Sequence, residues 1–204
     1  MAGLPLSDRF GNRLVSCDSV AGTEPEPPEG DDSVPIPLAL TVVVCAGRVL
    51  MVLDARRGQW ELPGGMRERE EAARQAAVRE LAEEAGIVAA DLESAAVAGF
   101  VLANPDRREY AAVYRLALRA LPQLAADDEI LGFRWWDPRS PVPDDMSSLD
   151  AEIAALVTSR WRAGTPGSTP RPAGPGFEEP VRQPNRPPGP ARWVTVAAIS
   201  DASG

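Results

Sequence analysis

The chain has 204 residues, 44% of them hydrophobic, and a formal net charge of −9. That length suits one domain with extensions, and the acidic balance disfavours stable nucleic-acid binding or attachment to anionic membranes. There is no histidine, which excludes Ser-His-Asp and Cys-His catalysis and zinc sites built on imidazole.

In chain order, residues 1–33 read as a disordered or partly ordered lead. MAGLPLSDRFGNR has no long apolar run of the kind a signal peptide needs. FGNRLVSCDSV, residues 10–20, reads as a short edge strand or hairpin. TEPEPPEGDD is acidic and proline-rich, with little apolar surface to bury. Cys17 and Cys45 form no CxxC pair and read as free thiols of a reducing compartment. A soluble cytoplasmic protein is the expectation.

The expected domain spans residues 34–162. LALTVVVC (38–45), a turn at Ala46-Gly47-Arg48 and VLMVLDA (49–55) read as a β-hairpin, too short and β-branched to be a membrane span. ARRGQWELPGG reads as a loop ending in Pro63-Gly64-Gly65. From about Glu71 to Ala85, Ala77, Val78, Leu81 and Ala85 recur at helical spacing, and Gly86 is a stop signal. Residues 95–103 and 109–120 read as strands turning at Asn104-Pro105-Asp106, and 132–137 as a short strand. Ser147-x-x-Asp150 resembles a capping box, followed by Leu149, Ile153, Leu156, Val157 and Trp161 on one helical face. Strands and two helices without βαβ regularity indicate an α+β fold or α/β/α sandwich. Residues 163–204 read as a Pro/Gly-rich disordered tail, with nine prolines between 163 and 192. Its end, WVTVAAI, is either an edge strand or loose.

The helix over 71–85 poses a physical problem. Glu80, Glu83 and Glu84 share one face, and like charges at that spacing repel. A divalent cation would make such a turn favourable, and hard oxygen ligands select Mg²⁺ or Mn²⁺. Pro63-Gly64-Gly65 lets backbone approach a substrate closely, and a following helix N-terminus attracts anions. Together these suit metal-assisted attack of water on a diphosphate.

Gly65, Glu71, Arg79-Glu80-Leu81, Glu83-Glu84 and Gly86-Ile87 stand at the spacing that resembles the signature of the Nudix hydrolase family. The resemblance covers about residues 38–160. It implies a Nudix-like α/β/α sandwich with a mixed sheet, and a Mg²⁺-dependent hydrolase of nucleoside diphosphate-X substrates. It also implies metal ligation by Glu80, Glu83 and Glu84, and catalytic roles for Glu83, Glu84 and Arg79, with Glu71 and Gly86 supporting the motif. Glu129, in an acidic segment before a Trp-bearing strand, is a further general-base candidate, with Asp127 and Asp128 as substitutes. Gly64, Gly65 and Trp60 are the expected substrate contacts, while Tyr110 and Tyr114 are placed to border a nucleotide.

The first expectation for substrate is a nucleoside triphosphate, oxidised nucleotides included, cleaved as in MutT-like pyrophosphohydrolases. ADP-ribose or nucleotide-sugar hydrolysis is the rival, on a loose match at Pro105 and Glu109. A nucleotide-sensing module without catalysis is the alternative of a different class. The partner expected is a nucleotide-type small molecule, and the oligomeric state is left open.

Overall fold

The computed structural model describes residues 3–20, 22–125, 128–164, 181–182 and 194–196. The expected tail from 163 to 204 lies outside the described residues except for 163–164, which end the second helix, and the pieces 181–182 and 194–196. The strands are β1 (Leu6–Ser7), β2 (Arg13–Ser19), β3 (Leu38–Cys45), β4 (Arg48–Asp54), β5 (Gln59–Glu61), β6 (Gly64–Met66), β7 (Ile87–Ala89), β8 (Glu93–Ala103), β9 (Asp106–Leu118), β10 (Ile130–Trp136), β11 (Val181–Arg182) and β12 (Val194–Val196). The helices are α1 (Ala73–Ala85) and α2 (Ser148–Gly164).

The main sheet has the order β1-β2-β8-β9-β3-β4-β10-β11. It is mixed: β3 runs parallel to β9, whereas its other pairings are antiparallel. The β3–β4 hairpin turns on Ala46 and Gly47, both at positive φ, the conformation of a tight hairpin turn. Only Val44–Val49 and Cys45–Arg48 pair across it. The strands then diverge, and β5 fills the gap along β4 while β6 fills it along β3. The segment expected as a plain loop, 55–65, thus contributes two short strands.

Period-two alternation along the central strands feeds two cores. Leu40, Val42, Val44, Met51 and Val113 face one core together with Ile153, Ala154 and Val157 of α2. Ala39, Val43, Leu50, Ala112 and Tyr114 face the other with Ala76, Ala77, Leu81 and Ala85 of α1. This is the expected α/β/α arrangement, with one helix on each face. Alternation along β10 predicts one of Trp135 and Trp136 inside and the other facing out; the structure corrects this. Trp136 belongs to the α2-side core, but Trp135 packs half-buried on the α1 side instead of facing solvent.

Segment 10–20 forms β2 one place in from the sheet edge, paired along β8. Residues after it are fixed by charge more than by apolar burial. Arg74 of α1 donates to Glu24 Oε1 at 2.6 Å, and Tyr114 donates to Glu24 Oε2 at 2.9 Å. Asp31 accepts from Arg108 at 2.7 Å and from Tyr110 at 2.5 Å. Tyr110 and Tyr114 do share a face, but they are 4% and 0% exposed. Their hydroxyls are held by this segment, so the expected nucleotide contact does not arise.

At the start of α2 the expected capping box is half formed. The Asp150 N–H donates to Ser147 Oγ at 3.3 Å, while the Ser147 N–H goes to the Trp60 carbonyl at 2.8 Å. Burial pushes the Asp150 carboxyl up to about 7, and the neighbouring Glu61 charge adds to the shift. In the unfolded chain this group ionises near pH 4, so the native state holds an extra proton between about pH 4 and 7. Stability should therefore decline as pH rises through that window and level off above it. Asp150→Asn is expected to raise the melting temperature at pH 8, with the gain shrinking toward pH 4. Parallel curves for the two proteins in thermal melts would remove Asp150 as the cause.

Candidate active site

The site is built where α1 packs back along β6. Helix α1 begins with the Ala72 N–H donated to Gln75 Oε1 at 3.0 Å. It ends at Gly86, whose φ of 68° is left-handed and whose N–H returns to the Ala82 carbonyl at 3.0 Å. The Gly86 stop expected from sequence is therefore a C-terminal cap.

Arg79 projects from the middle of α1 into a ring of acceptors. Its Nε and Nη2 make a two-pronged pair with Glu71, each at 3.0 Å. Nη1 donates to Glu80 Oε1 at 2.8 Å and to Glu83 Oε2 at 3.1 Å, and Nη2 also reaches the Met66 carbonyl at 3.1 Å. Glu71 is further held by the Glu68 N–H at 2.9 Å. The Arg79 contact, with that N–H, keeps its carboxyl below the usual range. Arg79 itself is pushed well above its ordinary value, chiefly by Glu71. Burial pushes the Glu80 carboxyl up, Arg79 opposes that, and the Glu83 and Glu71 charges add to it.

Glu84 has a different task. Its Oε2 accepts the Gly64 N–H at 2.8 Å. Gly64 sits at φ 149°, and a Cβ there would collide with the Ala39 carbonyl oxygen and lie 2.9 Å from Leu40 Cα. A Cβ on Gly65 would lie 2.5 Å from Glu80 Oε1 and 2.6 Å from its Cδ. The two glycines thus bring backbone against carboxylates at the middle and end of α1. The Gly64 N–H is held by the Glu84 carboxylate.

Glu71, Arg79, Glu80, Glu83, Glu84, Gly64 and Gly65 are therefore gathered in one place. Glu129 is exposed in the loop before β10, where its carbonyl accepts the Ala55 N–H at 2.8 Å. Asp127 lies outside the described residues. Trp60, expected to line the substrate pocket, is 2% exposed. Its indole N–H donates to Asp145 Oδ2 at 3.1 Å, and the Arg134 guanidinium covers its ring at 4.6 Å from the centroid. It is a core residue here, and its ring is not open to stacking.

Two partners were not flagged by the sequence. Arg67 clamps the loop by donating to the Glu71 carbonyl at 2.8 Å and the Ile36 carbonyl at 2.9 Å. Asp145 anchors Trp60 from a segment 85 residues away. Neither spacing forms a local pattern, and Pro143-Asp144-Asp145 reads only as a turn.

The donors of this cluster are carboxylate oxygens, which suit Mg²⁺ or Mn²⁺. Among the described residues no group of three or more acidic, Cys or His side chains is arranged around one point to hold a metal. Mg²⁺ does not require such a cage, since it commonly binds through one or two carboxylates plus substrate phosphates. The donor set therefore fits a cation that arrives with its substrate. No described helix is long and apolar enough to cross a membrane.

Comparison with known proteins follows the same residues. The family model described as NUDIX domain matches residues 35–157. The chain is 36% identical over 113 residues to the 8-oxo-dGDP phosphatase NUDT18 of Danio rerio, a match covering 52% of this chain and 34% of that protein. The chain thus spans about a third of the length of that relative. It shares its fold with the MutT protein from Methanosarcina mazei Go1, at TM-score 0.52 and 17% identity, covering 63% of this chain and 96% of that one. The E. coli ORF135 protein gives TM-score 0.52 at 25% identity, covering 66% and 96%.

Gly64→Ala is expected to cost about 2–4 kcal/mol of stability in chemical denaturation, because its Cβ meets rigid backbone. Gly65→Ala meets a side chain that can swing away, so its cost should be smaller while the Glu80 carboxylate is displaced. Equal losses in the two variants would refute this division. Arg79→Lys keeps the charge but loses the two-pronged pair with Glu71. It should fold, yet behave like Arg79→Ala in turnover, about 10²-fold or more below wild type. Near-normal turnover of the lysine variant would show that charge alone suffices.

Proposed function

Because the chain belongs to the NUDIX domain family, we propose that it is a hydrolase cleaving a diphosphate bond in nucleotide substrates, with oxidised guanine nucleotides as its substrate class. The observation that carries the reaction is the Arg79 cluster: Glu71, Glu80 and Glu83 around one guanidinium, with Glu84 beside them on the Gly64 N–H, packed against Gly64-Gly65. What supports the substrate class is the 36% identity to a relative named 8-oxo-dGDP phosphatase. The cleavage is a water attack on phosphorus that breaks one P–O–P bridge. A nucleoside diphosphate would yield monophosphate and phosphate, and a triphosphate would yield monophosphate and pyrophosphate.

Glu80, Glu83 and Glu84 are the residues that would hold Mg²⁺ or Mn²⁺. When bound, the cation supplies Lewis-acid charge to the diphosphate oxygens. Arg79 fixes the orientation of Glu80 and Glu83 and offsets part of the charge of the cluster. Glu83 is the most open member, its side chain 50% exposed, and is assigned as acceptor of the proton from the attacking water. Glu84 keeps Gly64 against α1, which preserves the narrow gap between β6 and the helix. Glu129 remains a second base candidate, brought in only if its loop closes on the substrate.

The test is product release with Mg²⁺ from 8-oxo-dGDP, 8-oxo-dGTP, dGDP, dGTP, ADP-ribose and a nucleotide sugar, comparing wild type with Glu83→Gln. The expected result is preference for the oxidised guanine nucleotides, with turnover about 10²–10⁴-fold lower in the variant. Preference for ADP-ribose or the nucleotide sugar would overturn the substrate class but keep the reaction. Nucleotide binding without turnover of any compound would instead establish a sensing module.

A further inference from the structure

The loop that delivers Glu71 to the Arg79 cluster contains a strained residue. Glu70 stands at φ 66°, in the left-handed region. That conformation is unfavourable for a residue with a side chain, whereas glycine adopts it freely. Glu70 is the third residue of a four-residue turn, closed by the Glu71 N–H on the Glu68 carbonyl at 3.2 Å. A left-handed third position ordinarily calls for glycine or asparagine. The Glu70 side chain is 87% exposed and its contact with Arg69 is 3.9 Å long, so it contributes little to holding the turn.

Arg67 grips the turn from one side. Its Nε and Nη2 both donate to the Glu71 carbonyl, at 2.8 and 2.5 Å, and its Nη1 donates to the Ile36 carbonyl at 2.9 Å. Its own N–H donates to the Pro37 carbonyl at 2.8 Å. One planar group thus ties the end of the turn to the chain entering β3. Arg67 is exposed, so its removal takes no packing from either core. Glu71 is held at both ends: its carbonyl by Arg67, and its carboxylate by the two-pronged pair with Arg79. Arg79 in turn holds Glu80 and Glu83. An unbroken series of contacts therefore runs from Ile36 through Arg67, Glu71 and Arg79 to the carboxylates of the site.

We propose that Arg67 is a positioning residue for the hydrolysis: its bridge between Glu71 and Ile36 holds the left-handed turn at Glu70 and so keeps the Glu71 carboxylate on Arg79. This role rests on the hydrolase reading of the Arg79 cluster. Arg67 acts through Glu71 and not on the reacting atoms. Without the bridge, Glu70 relaxes out of the left-handed region, the Glu71 backbone shifts and the pair with Arg79 loosens. A small misplacement of this kind is enough to slow a reaction that depends on orientation. Because the bridge offsets a backbone cost, a glycine at position 70 makes it dispensable. Positions 67 and 70 are therefore coupled, and the effects of changing them are not additive.

The test compares wild type, Arg67→Ala, Glu70→Gly and the double variant as full chains. Two quantities are read: kcat and KM with Mg²⁺ on the nucleotide that wild type cleaves best, and the ¹⁵N resonance of the Arg79 Nε–H, identified by its loss in Arg79→Lys. Arg67→Ala is expected to lower kcat about tenfold or more while KM stays within about threefold. The Arg79 Nε–H should move toward the position of free arginine. Glu70→Gly should match wild type in both readouts, and the double variant should recover kcat to within about threefold of wild type. An unchanged kcat in Arg67→Ala would overturn the proposal. So would a loss confined to KM, which would make Arg67 a substrate contact, or a loss equally large with and without Glu70→Gly. If Arg67→Ala does not fold, a double variant that folds and turns over like Glu70→Gly bears the proposal out, and one that is also unfolded overturns it. If wild type cleaves no nucleotide, the hydrolase reading fails and the resonance decides alone. A shift in Arg67→Ala that the double variant reverses then upholds the hold of Arg67 on Glu71, and an unmoved resonance removes it.

Discussion

A single guanidinium, Arg79, stands among Glu71, Glu80 and Glu83, and much of the local architecture follows from that imbalance of charge. One cation cannot neutralise the carboxylates around it, so the cluster retains net negative charge where burial penalises it. The planar fork of Arg79 relieves part of this by placing two parallel bonds on Glu71, which ties the loop before α1 to the middle of the helix. The remaining charge is directed toward the open side, where Glu83 is half exposed. A folded chain that keeps such an arrangement is suited to a cationic or metal-bridged ligand.

The same region shows why small residues are required. Gly64 joins β6 to β3 under the Ala39 carbonyl, and Gly65 admits the Glu80 carboxylate. Both are conditions on how closely a strand and a helix can approach. The sheet supplies the rigid side of that contact, since β3 is held over eight residues by parallel pairing with β9. The acidic segment around Glu24 and Asp31 adds a tie over the same face, through Arg74, Tyr114, Arg108 and Tyr110.

The two faces of the sheet are chemically distinct. The α1 face concentrates charge at its edge around Arg79. The α2 face combines a larger apolar core with a cavity of about 720 Å³ beside α2. Because the central strands alternate strictly, neighbouring residues such as Trp135 and Trp136 serve different faces.

How much of this could be read in advance depends on the range of each interaction. The spacing of Arg79, Glu80, Glu83 and Glu84 along a helix, the Gly86 cap, the β3–β4 hairpin and the Asn104-Pro105-Asp106 turn are local, and local periodicity carries them. The roles of Trp60, Tyr110 and Tyr114 were misread because their partners, Asp145, Asp31 and Glu24, lie far away in sequence. An aromatic ring beside a motif looks the same in sequence whether it faces solvent or a guanidinium. The sequence by itself determined which residues share the α1 turn and what chemistry their oxygen donors suit, since helical geometry fixes that spacing. Only the tertiary structure decided that Gly64 and Gly65 pack against Glu84 and Glu80, and that Trp60 is enclosed. Those outcomes depend on how strands pair and which faces the helices cover, which no short stretch of the chain encodes.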